Sequence, residues 1–123
     1  LETGAAKDQA QTQGATPLLV ACQNGHLECA QLLLEANAAV NQASNNGLTP
    51  LFVACQQGHL QCARLLVEAG AAVNQAAGGG VTPLLIACEN GHVECARLLL
   101  ESGAAKDQAK QNGATPLYMA CQN

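Results

Sequence analysis

The chain has 123 residues, enough to bury a hydrophobic core, and carries a formal net charge of −4. Its basic residues, Lys7, Arg64, Arg97, Lys106 and Lys110, are scattered, and its aromatic residues are Phe52 and Tyr118, with no Trp. That balance sets aside nucleic acid, which is bound by a basic stripe with stacking aromatics, and disfavours an anionic membrane surface.

No apolar run approaches the roughly 20 residues that span a bilayer. The chain opens on Leu1-Glu2-Thr3-Gly4 without Met or a signal-peptide pattern. These residues read as the tail of a preceding helix, with Gly4 able to close it in the left-handed conformation. The expectation is a piece of a longer chain or a designed protein. Ala5 to Ala15 then reads as a polar link with turn chemistry at Thr12-Gln13-Gly14.

At Thr16 a unit begins that repeats every 33 residues without insertion or deletion: Thr-Pro-Leu at 16, 49, 82 and 115, and Gly-His at 25, 58 and 91. A fixed period of this length marks a stacked repeat array. Thr16 suits the N-cap of a helix, and Pro17 suits the first helical position, where its missing N–H is not needed. Leu18, Ala21 and Cys22 form one apolar stripe, and the helix should stop near Asn24, with Gly25 as its terminator. His26 falls in the turn. A second helix is predicted from about Leu27 to Ala36, with Cys29, Ala30, Leu32, Leu33 and Leu34 making a wide apolar face, covered by its partner helix and by a neighbouring repeat. Asn37 occupies the position of Gly4, Gly70 and Gly103, and can take the same left-handed helix end.

The predicted connection from Ala38 to Leu48 has a strong turn signal at Ser44-Asn45-Asn46-Gly47. The second repeat copies the first, and its connection ends in Ala77-Gly78-Gly79-Gly80, expected to be the loosest stretch of the chain. The third repeat leads through Lys106 to Ala114 to a single last helix, Pro116 to about Asn123. The expected domain layout is one array: a partial repeat and finger at 1–15, repeats at 16–48, 49–81 and 82–114, and a partial repeat at 115–123. Residues 1–24 and 100–123 are identical at 18 of 24 positions, which suggests duplication within a longer array or a consensus-style design.

There are seven cysteines. Cys22, Cys55, Cys88 and Cys121 share one repeat position, and Cys29, Cys62 and Cys95 another. An odd, periodic set does not look like a disulfide scaffold. It reads as small core residues in the cytoplasm or another reducing intracellular compartment.

The pattern carried by Gly14-Ala15-Thr16-Pro17-Leu18, Ala21, Gly25-His26, Glu28, Leu33-Leu34 and Ala39-Val40-Asn41 resembles the ankyrin repeat, over essentially the whole chain. The resemblance implies an all-α solenoid of antiparallel helix pairs joined by hairpin-like finger loops, with fingers and first helices on a concave side. It also implies a non-enzymatic module for binding other proteins. Leu19, Phe52, Leu85 and Tyr118 stand where the family usually has His, so the hydrogen bonds of that His are lost. Ala39 and Ala72 replace the usual Asp. The same likeness makes Asn41 and Asn74 candidates for hydroxylation, although a hydrogen-bonding turn role is the simpler reading.

The trio Cys22, His26 and Cys29 has zinc-ligand types without a familiar zinc spacing, and it recurs at fixed structural positions. It is read as core and turn, so no metal and no cofactor is expected. No catalytic constellation or phosphate loop accompanies it. By position in the family pattern, the protein-binding residues are Thr12, Gln13, Gln23 and Asn24, then Asn45, Asn46, Leu48, Gln56 and Gln57. Val81, Glu89 and Asn90 follow in the third repeat, and Gln111 and Asn112 in the last. The alternative is a structural or engineered scaffold that self-associates through uncapped end helices.

Overall fold

The computed structural model describes residues 14–104. Among these there are six α-helices and no strand. They are α1 (Pro17–Gln23), α2 (Leu27–Glu35), α3 (Pro50–Gln57), α4 (Leu60–Glu68), α5 (Pro83–Glu89) and α6 (Val93–Glu101). A three-residue 3₁₀ turn spans Gly78–Gly80. The expected helix end at Gly4, the last helix from Pro116 and the partial repeats lie outside the described residues.

Each inner helix starts as the sequence predicts. Thr16, Thr49 and Thr82 are extended N-caps whose hydroxyls accept from the backbone N–H of Leu19, Phe52 and Leu85, at 3.3, 3.1 and 3.2 Å. Proline follows each cap at the first helical position. The outer helices end in a shared two-bond motif. Asn37 N–H donates to Leu34 O and Ala38 N–H donates to Leu33 O, both at 3.0 Å. Asn37 is left-handed at φ 69°, where Gly70 and Gly103 stand in the later copies.

α1 pairs with α2, α3 with α4 and α5 with α6, and the pairs stack in register. The inner helices α1, α3 and α5 pack closely on one another, whereas α2, α4 and α6 touch their like neighbours more sparsely. One continuous core runs through all three pairs, including Leu18, Leu51, Leu66, Leu84 and Leu99, each no more than 1 % exposed. Burying one such leucine contributes about 1.5–3 kcal/mol, so the core rather than any surface pair holds the stack together. Leu19 and Phe52 are buried in this core, and Leu85 is buried in a small separate cluster with Val81 and Cys88 packed against it, so apolar packing stands where polar bonds would otherwise be made.

The fingers are closed turns. In the first described finger, Ser44 N–H donates to Leu48 O and Gly47 N–H to Ser44 O, each at 2.9 Å. The next has the same pair of bonds, from Ala77 N–H to Val81 O at 2.7 Å and from Gly80 N–H to Ala77 O at 3.1 Å. The tri-glycine stretch, expected to be the loosest, is thus closed in the same way as its neighbour. Its backbone lies against the preceding finger, within reach of Asn46 O and Gly47.

Candidate functional site

The inner helices end on exposed polar residues at equivalent places. Gln23 and Asn24 close α1, Gln57 closes α3, and Glu89 and Asn90 close α5, all exposed. Asn45 and Asn46 are exposed at one finger tip, and Gly78 and Gly79 at the next. Among the described residues Glu89 is the one charged side chain on an inner helix or finger. Glu28, Glu35, Arg64, Glu68, Glu94, Arg97 and Glu101 all lie on the outer helices. The inner side therefore offers an almost neutral, amide-rich row, and the outer side carries the charge.

Part of that row is tied across repeats. The backbone carbonyl of Gln56 lies in the last turn of α3, where no intrahelical donor remains. It accepts from Asn90 Nδ2 and from His92 Nε2, both at 3.0 Å, so Nε2 of His92 carries a proton. The His92 ring lies against Gly58: a Cβ built on that glycine would sit 2.6 Å from Nδ1. One repeat earlier, Gly25 faces the ring of His59 in the same way, with its Cβ position 2.8 Å from Nδ1. Both glycines are left-handed, at φ 77° and 74°. The Gly-His step thus joins consecutive pairs. Sequence reasoning places His in a turn and misses this contact, whose one signal is that Gly-His recurs with the period of the helices themselves. Among the fingers, Asn41 Oδ1 accepts from Ala72 N–H at 2.9 Å, so this exposed asparagine links one finger to the next.

The sequence profile of the family described as Ankyrin repeats (3 copies) matches residues 1–77 and 71–123. The chain belongs to the ankyrin-repeat family. Ankyrin repeats generally bind other proteins, and the family is generally non-enzymatic. No curated protein matches this ankyrin chain. No helix among its described residues is long and apolar enough to cross a membrane.

The ankyrin stack brings Gln23, Asn24, Gln56, Gln57, Glu89 and Asn90 onto neighbouring inner-helix ends, and Asn45 and Asn46 onto an adjoining finger. Leu48 and Val81 fall elsewhere. They close the finger hairpins through their backbones and pack half-buried against the core, so they offer little side-chain surface. Gln56 is half-buried, and its carbonyl is already engaged. Thr12, Gln13, Gln111 and Asn112 lie outside the described residues.

The cysteines behave as core groups at four places: Cys22, Cys55, Cys62 and Cys95 are buried, while Cys29 and Cys88 are half-buried. Burial pushes the Cys22 thiol up to about 12, with a further contribution from Cys62, and burial also raises Cys88. Among the described residues, Cys22, His26 and Cys29 do not converge, and no three His, Cys, Asp or Glu side chains are grouped so as to hold a metal ion.

Proposed function

We propose that this ankyrin array is a non-enzymatic protein-binding module. Its contact surface is the hollow inner side made by the finger tips and the C-terminal ends of α1, α3 and α5. The observation that carries this reading is the segregation of charge: the outer helices hold every described charged residue except Glu89, leaving one side rich in uncharged amide groups. A partner suited to that side presents polar, weakly charged backbone and side-chain groups. It binds through many modest hydrogen bonds, because the row lacks the Trp, Tyr and Arg anchors of tight interfaces.

A triple variant, Gln23→Arg, Gln57→Arg and Glu89→Arg, tests the surface against an outer-side triple, Gln31→Arg, Gln61→Arg and Glu94→Arg. The inner set is expected to abolish capture of the partner protein from cell extract while the melting temperature stays near wild type. The outer set should leave capture intact. Loss of capture with the outer set alone, or with neither, rejects the inner surface.

A second reading, self-association of repeats, is favoured by three exposed large apolar residues. Leu32 of α2, Val93 of α6 and Leu100 of α6 are 54, 62 and 48 % exposed. At the positions equivalent to Val93 and Leu100, residues Leu27, Leu60, Leu34 and Val67 are half-buried. Under this reading, mass by light scattering rises with concentration, and Val93→Glu with Leu100→Glu abolishes the rise. A constant monomer mass over the same range excludes it.

A further inference from the structure

Asparagine followed by glycine is a step at which a chain readily attacks itself, because glycine has no Cβ to shield its amide nitrogen. The described residues contain three such steps: Asn24-Gly25 after α1, Asn46-Gly47 in a finger and Asn90-Gly91 after α5. All three asparagines are exposed. A fourth step, Asn112-Gly113, lies outside the described residues. At the end of α3 the equivalent residue is Gln57, whose extra methylene would require a slower, six-membered closure.

Asn24 and Asn90 share one backbone geometry. Each is a helix C-cap, at φ −96°, ψ 1° and at φ −95°, ψ 3°. Each precedes a left-handed glycine. The glycine N–H donates to Cys22 O at 3.3 Å in the first and to Cys88 O at 3.2 Å in the second. The side chains differ. Asn90 Nδ2 donates to Gln56 O at 3.0 Å, which ties that amide to the preceding inner helix, α3. At Asn46 the Ser44 hydroxyl donates to Oδ1, and the Gly47 N–H is held by Ser44 O at 2.9 Å. Asn24 has neither restraint: among the described residues its amide has no hydrogen-bond partner. The bond on the Gly25 N–H is also the longest of the three. Bringing the Asn24 side chain onto the Gly25 nitrogen therefore breaks that bond alone, within the reach of local opening at a helix end.

We propose that Asn24 is a self-modification site, converted to aspartate and isoaspartate faster than Asn46 or Asn90 because the fold leaves its amide untied. The Gly25 nitrogen attacks Asn24 Cγ. The new N–Cγ bond closes a succinimide, the bond from Cγ to Nδ2 breaks, and the amide leaves with the Gly25 proton as ammonia. One water then opens the ring. Attack at Cγ gives aspartate, and attack at the main-chain carbonyl gives isoaspartate. In sum, one water is consumed, one ammonia is released, and nothing is oxidised or reduced. The product places a carboxylate on the inner side, where Glu89 is the one described charge. The isoaspartate form also lengthens the main chain just before Gly25, the glycine that seats the His59 ring.

The test incubates the reduced, folded chain in warm, mildly alkaline buffer, withdraws samples over days and cleaves after glutamate. Asn24 then lies in peptide 3–28, Asn46 in 36–68 and Asn90 in 90–94. Mass spectrometry reads the amide-to-carboxylate mass gain, fragmentation assigns it, and isoaspartyl methyltransferase labels the isoaspartate form. Conversion at Asn24 is expected to run several-fold faster than at Asn46 or Asn90. In concentrated urea the lead over Asn90 should vanish, because both sites read Asn-Gly-His. Asn24→Gln, which puts there the residue type of Gln57, should remove the signal from 3–28. Equal or faster conversion of Asn46 or Asn90 in the folded chain overturns the proposal. So does a lead of Asn24 over Asn90 that persists in urea, or a mass gain in 3–28 that survives Asn24→Gln. The wild-type comparison of folded and urea-treated chain decides the matter even if the variant does not fold.

Discussion

At the residue scale, Gly58 both ends α3 in the left-handed conformation and lies against the ring of His92 from the next repeat. Gly58 was legible as a helix terminator because a left-handed residue follows the last turn. Its second role was not, because the ring that covers it belongs to His92, 34 positions on, and one chain shows only local spacing. The two roles separate by substitution. Gly58→Ala and Gly70→Ala both place a Cβ on a left-handed backbone, but only at Gly58 does it strike a neighbour, 2.6 Å from His92 Nδ1, whereas Gly70 faces open space. Gly58→Ala should therefore cost about 1–3 kcal/mol more than Gly70→Ala, because it also displaces His92 from the Gln56 carbonyl. Urea denaturation of both variants measures the difference, and equal losses would remove His92 from any linking role. Cys22 gives a second test at this scale. Its thiol is raised from 9.0 to about 12 in the fold, so the folded chain holds that proton more tightly than the unfolded chain. The associated stability is complete below about pH 9. It is lost as pH rises towards 12, at up to ~1.4 kcal/mol per pH unit. Urea midpoints taken in reducing buffer on either side of pH 9 should fall more steeply for wild type than for Cys22→Ala. Parallel slopes would deny the effect.

At the element scale, the helices were legible because their signals are local. Threonine, proline and leucine in sequence specify a cap, a first helical residue and a first core contact without reference to the rest of the chain. Asn37 likewise revealed a left-handed helix end by standing in a glycine position. The fingers were less legible. Three glycines suggested a loose link, yet hydrogen bonds to Ala77 and Val81 close that turn as they close its neighbour. The candidate surface was read in part for the same reason. Position in the repeat found the exposed ends at Gln23, Asn24, Gln57, Glu89 and Asn90. It could not show that Leu48 and Val81 turn inward, because that depends on how each finger packs against the core. The caps themselves carry a quantitative expectation. Thr49 is 2 % exposed, and its hydroxyl accepts the Phe52 N–H in a buried setting. Thr49→Ala leaves that donor without a partner and should lower stability by about 1–2 kcal/mol. Thr16→Ala, at a longer 3.3 Å bond in a half-buried setting, should cost less. Chemical denaturation of the two variants gives the order, and the reverse order would mean that burial does not set the strength of these caps.

At the scale of the whole molecule, stability is shared between neighbours: each helix pair is held by its own packing and by the faces it shares with adjacent pairs. α3 packs against both α1 and α5, so it belongs to two such faces at once. Among the described residues α6 touches its like neighbour α4 on one side. A cavity cut into α3 should therefore act differently from one cut into α6, although Leu51 and Leu99 are both no more than 1 % exposed. Each leucine-to-alanine change costs about 2–5 kcal/mol locally. In Leu51→Ala that loss falls on the pair linking the other two, so the array should stop unfolding as one unit. The urea transition should broaden and its m-value fall, because less surface is exposed in each cooperative step. Leu99→Ala should shift the midpoint with a smaller change in slope, because the pairs built on α1 and α3 keep their common face. Far-UV circular dichroism during urea titration distinguishes the two outcomes. If both variants keep the wild-type slope, the three pairs form a single indivisible core, and the proposed binding side would move as one rigid surface rather than as a row of coupled segments.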